Sequence, residues 1–395
     1  MQIEENLYDL AMEYWQLQTL GYDIEYQYPE LLDFEFTGPD LAEKLETVIN
    51  HCKEIQANEK PPPEPYSDLI FHDDIAPLPN NSVVNVAARA IMSGGEGFAH
   101  KADGWRLRGD GLEYKVPFPK AGMILITLED REPAALVQSF NVFTLDVLVA
   151  VLGQVCFTYC KNRTSNPLIQ RSTITARQIL RYKGTRSYGA KRWALIEKVN
   201  EEMIKLGKLR IDVRRNTTKN PENYKGSLLI LEPVKRDFNK FTQQYTVTSW
   251  RVQPGKWAAY DMSQDRYEFI GKLNHRILRY DHRQQRSAQA FAKKLMYVLF
   301  TAPGGTHYLI QGAKKSLAGY LKLIGEYYET DDGHRKLRSR NLQRLGEAID
   351  FLVGQGMITT SMPGGVTDYI KGRSRPWHLQ HTLGTVIEVK LADCL

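Results

Sequence analysis

Residues 172–213 read STITARQILRYKGTRSYGAKRWALIEKVNEEMIKLGKLRIDV, and the order of elements in this stretch decides the fold. STIT is a short β-branched run. Ala176–Tyr182 follows, with Ile179 and Leu180 apolar, and Gly184 ends that short helix. A second helix over about 188–206 carries the stripe Trp193, Ile196, Val199, Met203 and Leu206 at spacings of three and four. Lys191, Arg192 and Lys198 fall off the stripe, and Gly207 closes the helix. Upstream, Val142–Phe157 is apolar on most faces and reads as a buried helix. Downstream, Leu209–Val213 and Leu228–Leu231 read as two strands joined by a basic, polar loop, RRNTTKNPENYKG. A long helix, a short helix, a turn, a basic amphipathic helix and a hairpin make a helix-turn-helix with a β wing. The second helix of such a motif normally enters the major groove of DNA.

The pattern recurs. A strand over Tyr245–Val252 leads through Pro254 into a second unit. Ala288–Phe300 is its long helix. Lys315–Ile324 is its short helix, ended by Gly325. Ser339–Gly354 is its amphipathic helix, striped by Leu342, Leu345, Ile349 and Leu352. Met357–Thr360 and Val386–Lys390 are its wing strands. Gly207 and Leu209 match Gly356 and Ile358 at an offset of 149 residues. The second copy is longer between its two glycines, and the extra residues fall in the charged loop ETDDGHRKLR. Repetition of one supersecondary unit is stronger evidence than either copy alone.

Charge is unevenly spread along the 395 residues. Residues 1–100 carry a net −15, residues 101–160 a net −1, and residues 161–395 a net +22. Between 161 and 200 there are ten basic residues and one acid, Glu197. A basic body suits a polyanion, because phosphate neutralisation releases counterions. The head reads as helices over 3–20 and 40–57, followed by the Pro-rich Pro61–Pro65. Residues 83–92 read as a short helix, and 104–128 as strands around turns. The expected fold is α+β and helix-rich: two tandem winged-helix domains after an acidic mixed N-terminal module. The divisions are 1–60, an acidic helical segment; 61–82, a linker; 83–140, a small mixed segment; 141–240, winged helix 1; and 241–395, winged helix 2.

Several classes are disfavoured. No G-x-x-x-x-G-K-[ST] occurs, which argues against a P-loop ATPase. No His-hydrophobic-His pair occurs, which argues against a rolling-circle nicking enzyme. Cys156 and Cys160 lack a matched second pair and read as core residues, while His378, His381 and Cys394 are too sparse for zinc. Gly94–Gly97 lacks the spacing of a dinucleotide loop. Asp33 and Glu35 in LLDFEFTG resemble the first carboxylate pair of metal-dependent exonucleases, but further carboxylates on a β-rich core are wanting. No catalysis, cofactor or metal is expected. The longest apolar stretch is shorter than the ~20 residues that cross a bilayer. No secretory signal is read, and cysteine usage fits a reducing cytoplasm.

In layout, ITARQILRYKG with ALIEKVNEEMIKLGKLRI, then WAAYDMSQDRYEFIGKLNHRILRYDHR, SLAGYLKLIG and NLQRLGEAIDFLVGQGMI, resemble the tandem winged-helix, iteron-binding replication initiators of plasmids. The likeness covers about 141–395. It implies a cytoplasmic, nucleoid-associated protein whose units bind repeated duplex sites at an origin, or meet in a homodimer. It also implies that host helicase machinery is recruited to the origin; the acidic module has no counterpart in that family, and a host replicative helicase or another protein is its expected partner. Two alternatives are a DNA-binding adaptor in a mobile-element or CRISPR-linked complex and a winged-helix transcriptional repressor.

The candidate DNA-binding residues follow from the motif. Arg177 and Arg181 lie four apart on the short helix, followed by Lys183 and Arg186. Lys191 and Arg192 occupy the first turns of the recognition helix, where base edges are read. Ser187 and Tyr188 stand near its N-terminus, where amides hold phosphate. Arg214, Arg215 and Lys219 suit a wing tip. In the second unit the candidates are Arg340, Asn341 and Arg344 on the amphipathic helix, Lys371, Arg373 and Arg375 in the wing, and Arg279 and Arg283 in the basic run before the long helix.

Overall fold

The structure, a computed structural model, describes residues 75–79, 81–109, 111–118, 122–162, 171–185, 189–214, 223–258, 270–274, 277, 279, 288–302, 309–328, 334–373 and 378–392. The helices read over 3–20 and 40–57, and the Asp33/Glu35 pair, lie outside these residues.

The first half of the body runs β1 (Ile75–Pro79), α1 (Ser82–Ser93), β2 (Arg106–Arg108), β3 (Gly111–Phe118), β4 (Gly122–Leu128), α2 (Pro133–Ser139) and α3 (Val142–Asn162). Then come β5 (Ser172–Thr175), α4 (Ala176–Tyr182), α5 (Gly189–Gly207), β6 (Leu209–Arg214), β7 (Tyr224–Ser227), β8 (Leu229–Asn239) and β9 (Gln244–Pro254). The second half runs β10 (Ile270–Asn274), α6 (Ala288–Thr301), β11 (Ala313–Ser316), α7 (Leu317–Leu323), α8 (Arg335–Gly354), β12 (Ile358–Thr360), α9 (Val366–Lys371), α10 (Leu379–Gly384) and β13 (Val386–Leu391).

Local chemistry sets these boundaries. Helix α4 opens with a capping box: the Gln178 amide donates to Thr175 Oγ1 at 3.1 Å, and the Thr175 amide donates to Gln178 Oε1 at 2.7 Å. Two orphan amides are satisfied together. The helix stops at Gly184, whose φ of +66° is the left-handed conformation glycine adopts freely. The Thr185 amide then reaches back to the Leu180 carbonyl at 3.0 Å. The second unit repeats this. Ser316 caps α7 by accepting from the Gly319 amide, Gly325 has φ +66°, and the Glu326 amide reaches the Leu321 carbonyl at 2.9 Å.

Sheet pairing differs from the sequence expectation in one place. Strand β6 does not form a hairpin with the strand at Leu228–Leu231. It sits between β4 and β7 in a five-stranded sheet of order β2-β3-β4-β6-β7. Ile211 lies opposite Ile126 and Val213 opposite Ile124, all four buried, so one edge of β6 takes a non-local apolar partner while the other pairs locally with β7. The hairpin that flanks α5 is β8–β9. It joins β5 in a sheet of order β5-β9-β8. The second unit has the same order, β11-β13-β12.

Helix α3 is buried on nearly every described face, from Val142 to Cys156, because α1, α5 and β1 enclose it. Among the described residues no single helix is long and apolar enough to cross a membrane. A polar hub joins the two halves at α3. The buried Asp146 carboxylate accepts from Lys293 Nζ at 2.8 Å and Tyr297 Oη at 2.7 Å, both on α6, and from Lys183 after α4. Asn85 on α1 adds a second tie, donating to the Val298 carbonyl at 2.9 Å and to Thr301 Oγ1 at 3.2 Å.

Candidate nucleic-acid interface

Helix α5 turns one face to the protein and leaves the other open. Ile196, Val199, Met203 and Leu206 are buried. Ala190, Lys191, Ala194, Lys198, Glu201 and Ile204 are exposed, and Arg192 is half-buried. The small side chains of Ala190 and Ala194 beside Lys191 leave room for a close approach. Lys198 lies over the Phe143 ring at 5.3 Å and belongs to the flank of this face.

Polar side chains pin α5 to the β8–β9 ribbon in register. Trp250 Nε1 donates to Asn200 Oδ1 at 2.8 Å, and Asn200 Nδ2 donates to the Val247 carbonyl at 2.7 Å. Nearer the ribbon tip, Thr246 Oγ1 and Asn239 Nδ2 donate to Glu197 Oε1 at 3.3 and 3.1 Å. The partner on α5 therefore moves from Asn200 to Glu197 as the ribbon runs toward its tip. That direction is toward the N-terminus of α5. The open first turns of α5 and the ribbon tip consequently lie on one side of the molecule.

The other candidate residues divide. Arg181 is exposed and Arg177 half-buried on α4. Arg279 is exposed, and its aliphatic stem lies over Gly184, so this residue joins the turn after α4 rather than the second unit. Arg340, Lys371 and Arg373 are exposed, and Arg344 is half-buried. Lys371 ends α9, and the Arg373 guanidinium sits 3.9 Å from the Tyr369 ring centroid. Both lie in a helical insertion between β12 and β13, not in an open wing loop. Arg186, Ser187, Tyr188, Arg215, Lys219, Arg283 and Arg375 lie outside the described residues.

Two assignments are corrected and a third residue is relocated. Lys183 is buried, with its ammonium on Asp146 and 5.0 Å from the Phe143 ring centroid. Burial pushes it down to about 8, against the attraction of Asp146. The α4 C-terminus points Lys183 into the core, so it cannot meet a phosphate. Asn341 is 1% exposed and donates to the Glu326 carbonyl at 2.9 Å. It serves the turn after α7, not an adenine edge. Arg214 is exposed, but it ends β6 in the five-stranded sheet and bonds Asp212 at 2.8 Å, which raises it above its ordinary value. It is not on the ribbon beside α5.

Sequence reasoning missed the ribbon itself. Residues 235–245, KRDFNKFTQQY, carry three basic and three aromatic side chains around a turn. Phe238 is 44%, Phe241 59% and Tyr245 72% exposed. The signal was legible, because a turn flanked by β-formers reads as a hairpin.

No family model matches the chain, and no curated protein matches it. Among solved structures it is similar to two crystal structures of RctB domains 2 and 3. One is a selenomethionine derivative, at 12% identity and a TM-score of 0.37, covering 67% of this chain and 87% of that one. The other is at 9% identity and a TM-score of 0.39, covering 78% and 96%.

Proposed function

We propose that this chain binds duplex DNA sequence-specifically through a winged-helix first unit. In this reading it acts as a replication initiator on repeated origin sites of a plasmid or similar element. The observation that carries the reading is the placement of the open start of α5 and the β8–β9 tip on one side of the molecule, within a segment of net charge +22. A helix start reads base edges in the major groove while a wing grips the adjacent backbone. Lys191 and Arg192 read bases, Arg181 and Arg279 hold phosphate beside them, and Arg340 does so from the second unit. The chain works by binding rather than catalysis, and a helicase partner supplies strand separation. The divisions at residues 140 and 240 mark modules of one binding body, whose acidic head docks that partner.

Selection of duplexes from a random pool at two salt concentrations tests the reading. A long enriched motif that survives the higher salt, present in tandem copies near a replication origin, is the expected result. Affinity that collapses with salt and enriches no motif overturns it, because backbone contacts alone behave in that way.

A further inference from the structure

Beyond the sheet, the ribbon stands alone. Strand β5 pairs with β9 only as far as Ser249, opposite Thr175. Residues 244–248 pair with β8 alone, a reach of about 16 Å at the usual strand rise. Phe238 lies opposite Tyr245, and Arg236 opposite Val247, so these four share the face turned away from α5. The Phe238 and Tyr245 rings meet edge to face at 5.5 Å, and both side chains remain exposed.

The tip is built, not slack. Asn239 is fully buried. Its amide nitrogen is held by Glu197, its side-chain oxygen accepts from the Phe241 amide at 3.0 Å, and its carbonyl accepts from the Gln243 amide at 2.9 Å. Gln243 Nε2 closes the turn on the Lys240 carbonyl at 2.9 Å. Gln243 takes a φ of +56°, a conformation costly for a non-glycine residue. The outcome of this bonding is a phenylalanine held at the apex, in water, next to the exposed Lys240. A large exposed aromatic cluster marks a binding surface. Lys240 beside it in the turn and Arg236 further down the ribbon, both exposed, match a polyanion rather than an apolar protein face.

We propose that the β8–β9 ribbon is a DNA-kinking wedge: Phe241 inserts between adjacent base pairs from the minor groove next to the site read by α5. Phe238 and Tyr245 cover the opened sugar edges, and Arg236 and Lys240 hold the phosphates on either side. Apolar side chains that enter a base step from the minor groove unstack it and bend the duplex. The inference rests on duplex binding by α5 and adds a deformation at a defined distance from it. Bending here would prestrain a neighbouring segment for opening.

The test uses the full chain and a duplex recovered by selection, labelled at both ends for energy transfer and carrying 2-aminopurine at successive steps beside the motif. Wild-type protein is expected to shorten the end-to-end distance and to raise 2-aminopurine emission at one step. Phe241→Ala is expected to lose both signals while its affinity stays within about tenfold of wild type. Phe241→Leu, which keeps an apolar wedge, is expected to retain most of the bend. Asn239→Ala, which frees the tip without touching the ring, is expected to reduce it. Tight binding by wild type with no bend, or a bend unchanged in Phe241→Ala, overturns the wedge and leaves the α5 reading standing. No duplex binding by wild type overturns the reading beneath it. Because Phe241 is largely exposed, an unchanged far-ultraviolet spectrum separates either result from misfolding.

Discussion

The two units share a plan and differ at one position that decides what each hairpin becomes. At the offset of 149, Lys191 corresponds to Arg340 and Ala194 to Gln343, all exposed. Ile196 corresponds to Leu345, Met203 to Leu352 and Val199 to Ala348, all buried. Glu197, however, corresponds to Gly346. In the first unit Glu197 reaches across to Asn239 and Thr246 and anchors a long ribbon that leads away from the body. In the second unit a Cβ at Gly346 would lie 2.8 Å from Ile370 Cδ1 and 3.2 Å from Thr367 Cα. The missing side chain lets α9, inserted between β12 and β13, pack directly on α8. Asp350, one turn further on, accepts from the Val366 and Thr367 amides at 2.8 Å and caps the start of α9. One unit extends a probe, and the other folds its hairpin insertion back as structure.

The largest expected effect concerns what holds these halves together. Asp146→Asn leaves Lys183 and Lys293 buried with no carboxylate, and breaking a buried pair in this way costs about 3–5 kcal/mol. Chemical denaturation should show the loss, with both units unfolding at lower denaturant. The hub also sets pH dependence. Burial alone would raise the Asp146 carboxyl, but the ammonium groups of Lys183 and Lys293 outweigh it and hold it low. A carboxylate with a lowered folded pKa adds stability that is lost as pH falls through that value. Lys183 acts in the opposite window. Its folded pKa of about 8 lies below the ordinary lysine value of 10.5, so the unfolded chain binds more protons between those values and stability rises with pH there. Lys183→Met should abolish that rise and leave duplex affinity unchanged. A loss of affinity in a fully folded Lys183→Met protein would return Lys183 to the interface.

Next in size is the open face of α5. Lys191→Glu with Arg192→Glu places two carboxylates on the face proposed to read base edges, and each good base contact is worth about 1–3 kcal/mol. Binding to the selected duplex should fall by about two orders of magnitude or more, with melting temperature unchanged. Unchanged binding would remove the first unit from the interface. The Gly346 contrast is tested by Gly346→Val. The added methyl groups meet Ile370 and Thr367, and overpacking of this kind costs about 1–3 kcal/mol. The matching Glu197→Val in the first unit should loosen the ribbon tip while leaving the α8–α9 contact untouched.

How much of this was legible follows from the same residues. The stripe of α5 from Ile196 to Leu206 and the glycines that end α4 and α7 are local signals that the sequence carries, although Trp193, read into the same stripe, is only half-buried. The repeat at 149 residues is legible for the same reason. Pairing partners are not local. Nothing in LRIDV says that Ile211 and Val213 will lie against Ile126 and Ile124, some 85 residues upstream, or that the local partner of β6 is Tyr224–Ser227 while Leu229–Asn239 turns to β9. Lys183 and Asn341 show the complementary failure. Both sit at positions where a helix-turn-helix displays polar side chains, and both are drawn inward by partners, Asp146 and Glu326, that are distant in sequence. A polar residue near a helix terminus is ambiguous until its non-local neighbours are known. Sequence alone ranked the charges by position, and the fold then sorted them by direction.

The smallest expected effect is the sharpest test of whether the two units still share a task. Arg340 occupies the position of Lys191 in the repeat and is exposed like it, but its hairpin is folded back. A residue that only neutralises phosphate weakens binding about equally on every sequence and lowers the salt slope by about one. A residue that reads a base relaxes preference at one position instead. Arg340→Ala should therefore lower affinity by the same modest factor on selected and scrambled duplexes, with a slope smaller by about one. Lys191→Ala should flatten the preference at a single base pair. Exchange of these two signatures would make the second unit the reader and the ribbon-bearing unit its anchor. Identical signatures from both would mean that the divergence at Glu197 and Gly346 changed the hairpins without dividing the labour.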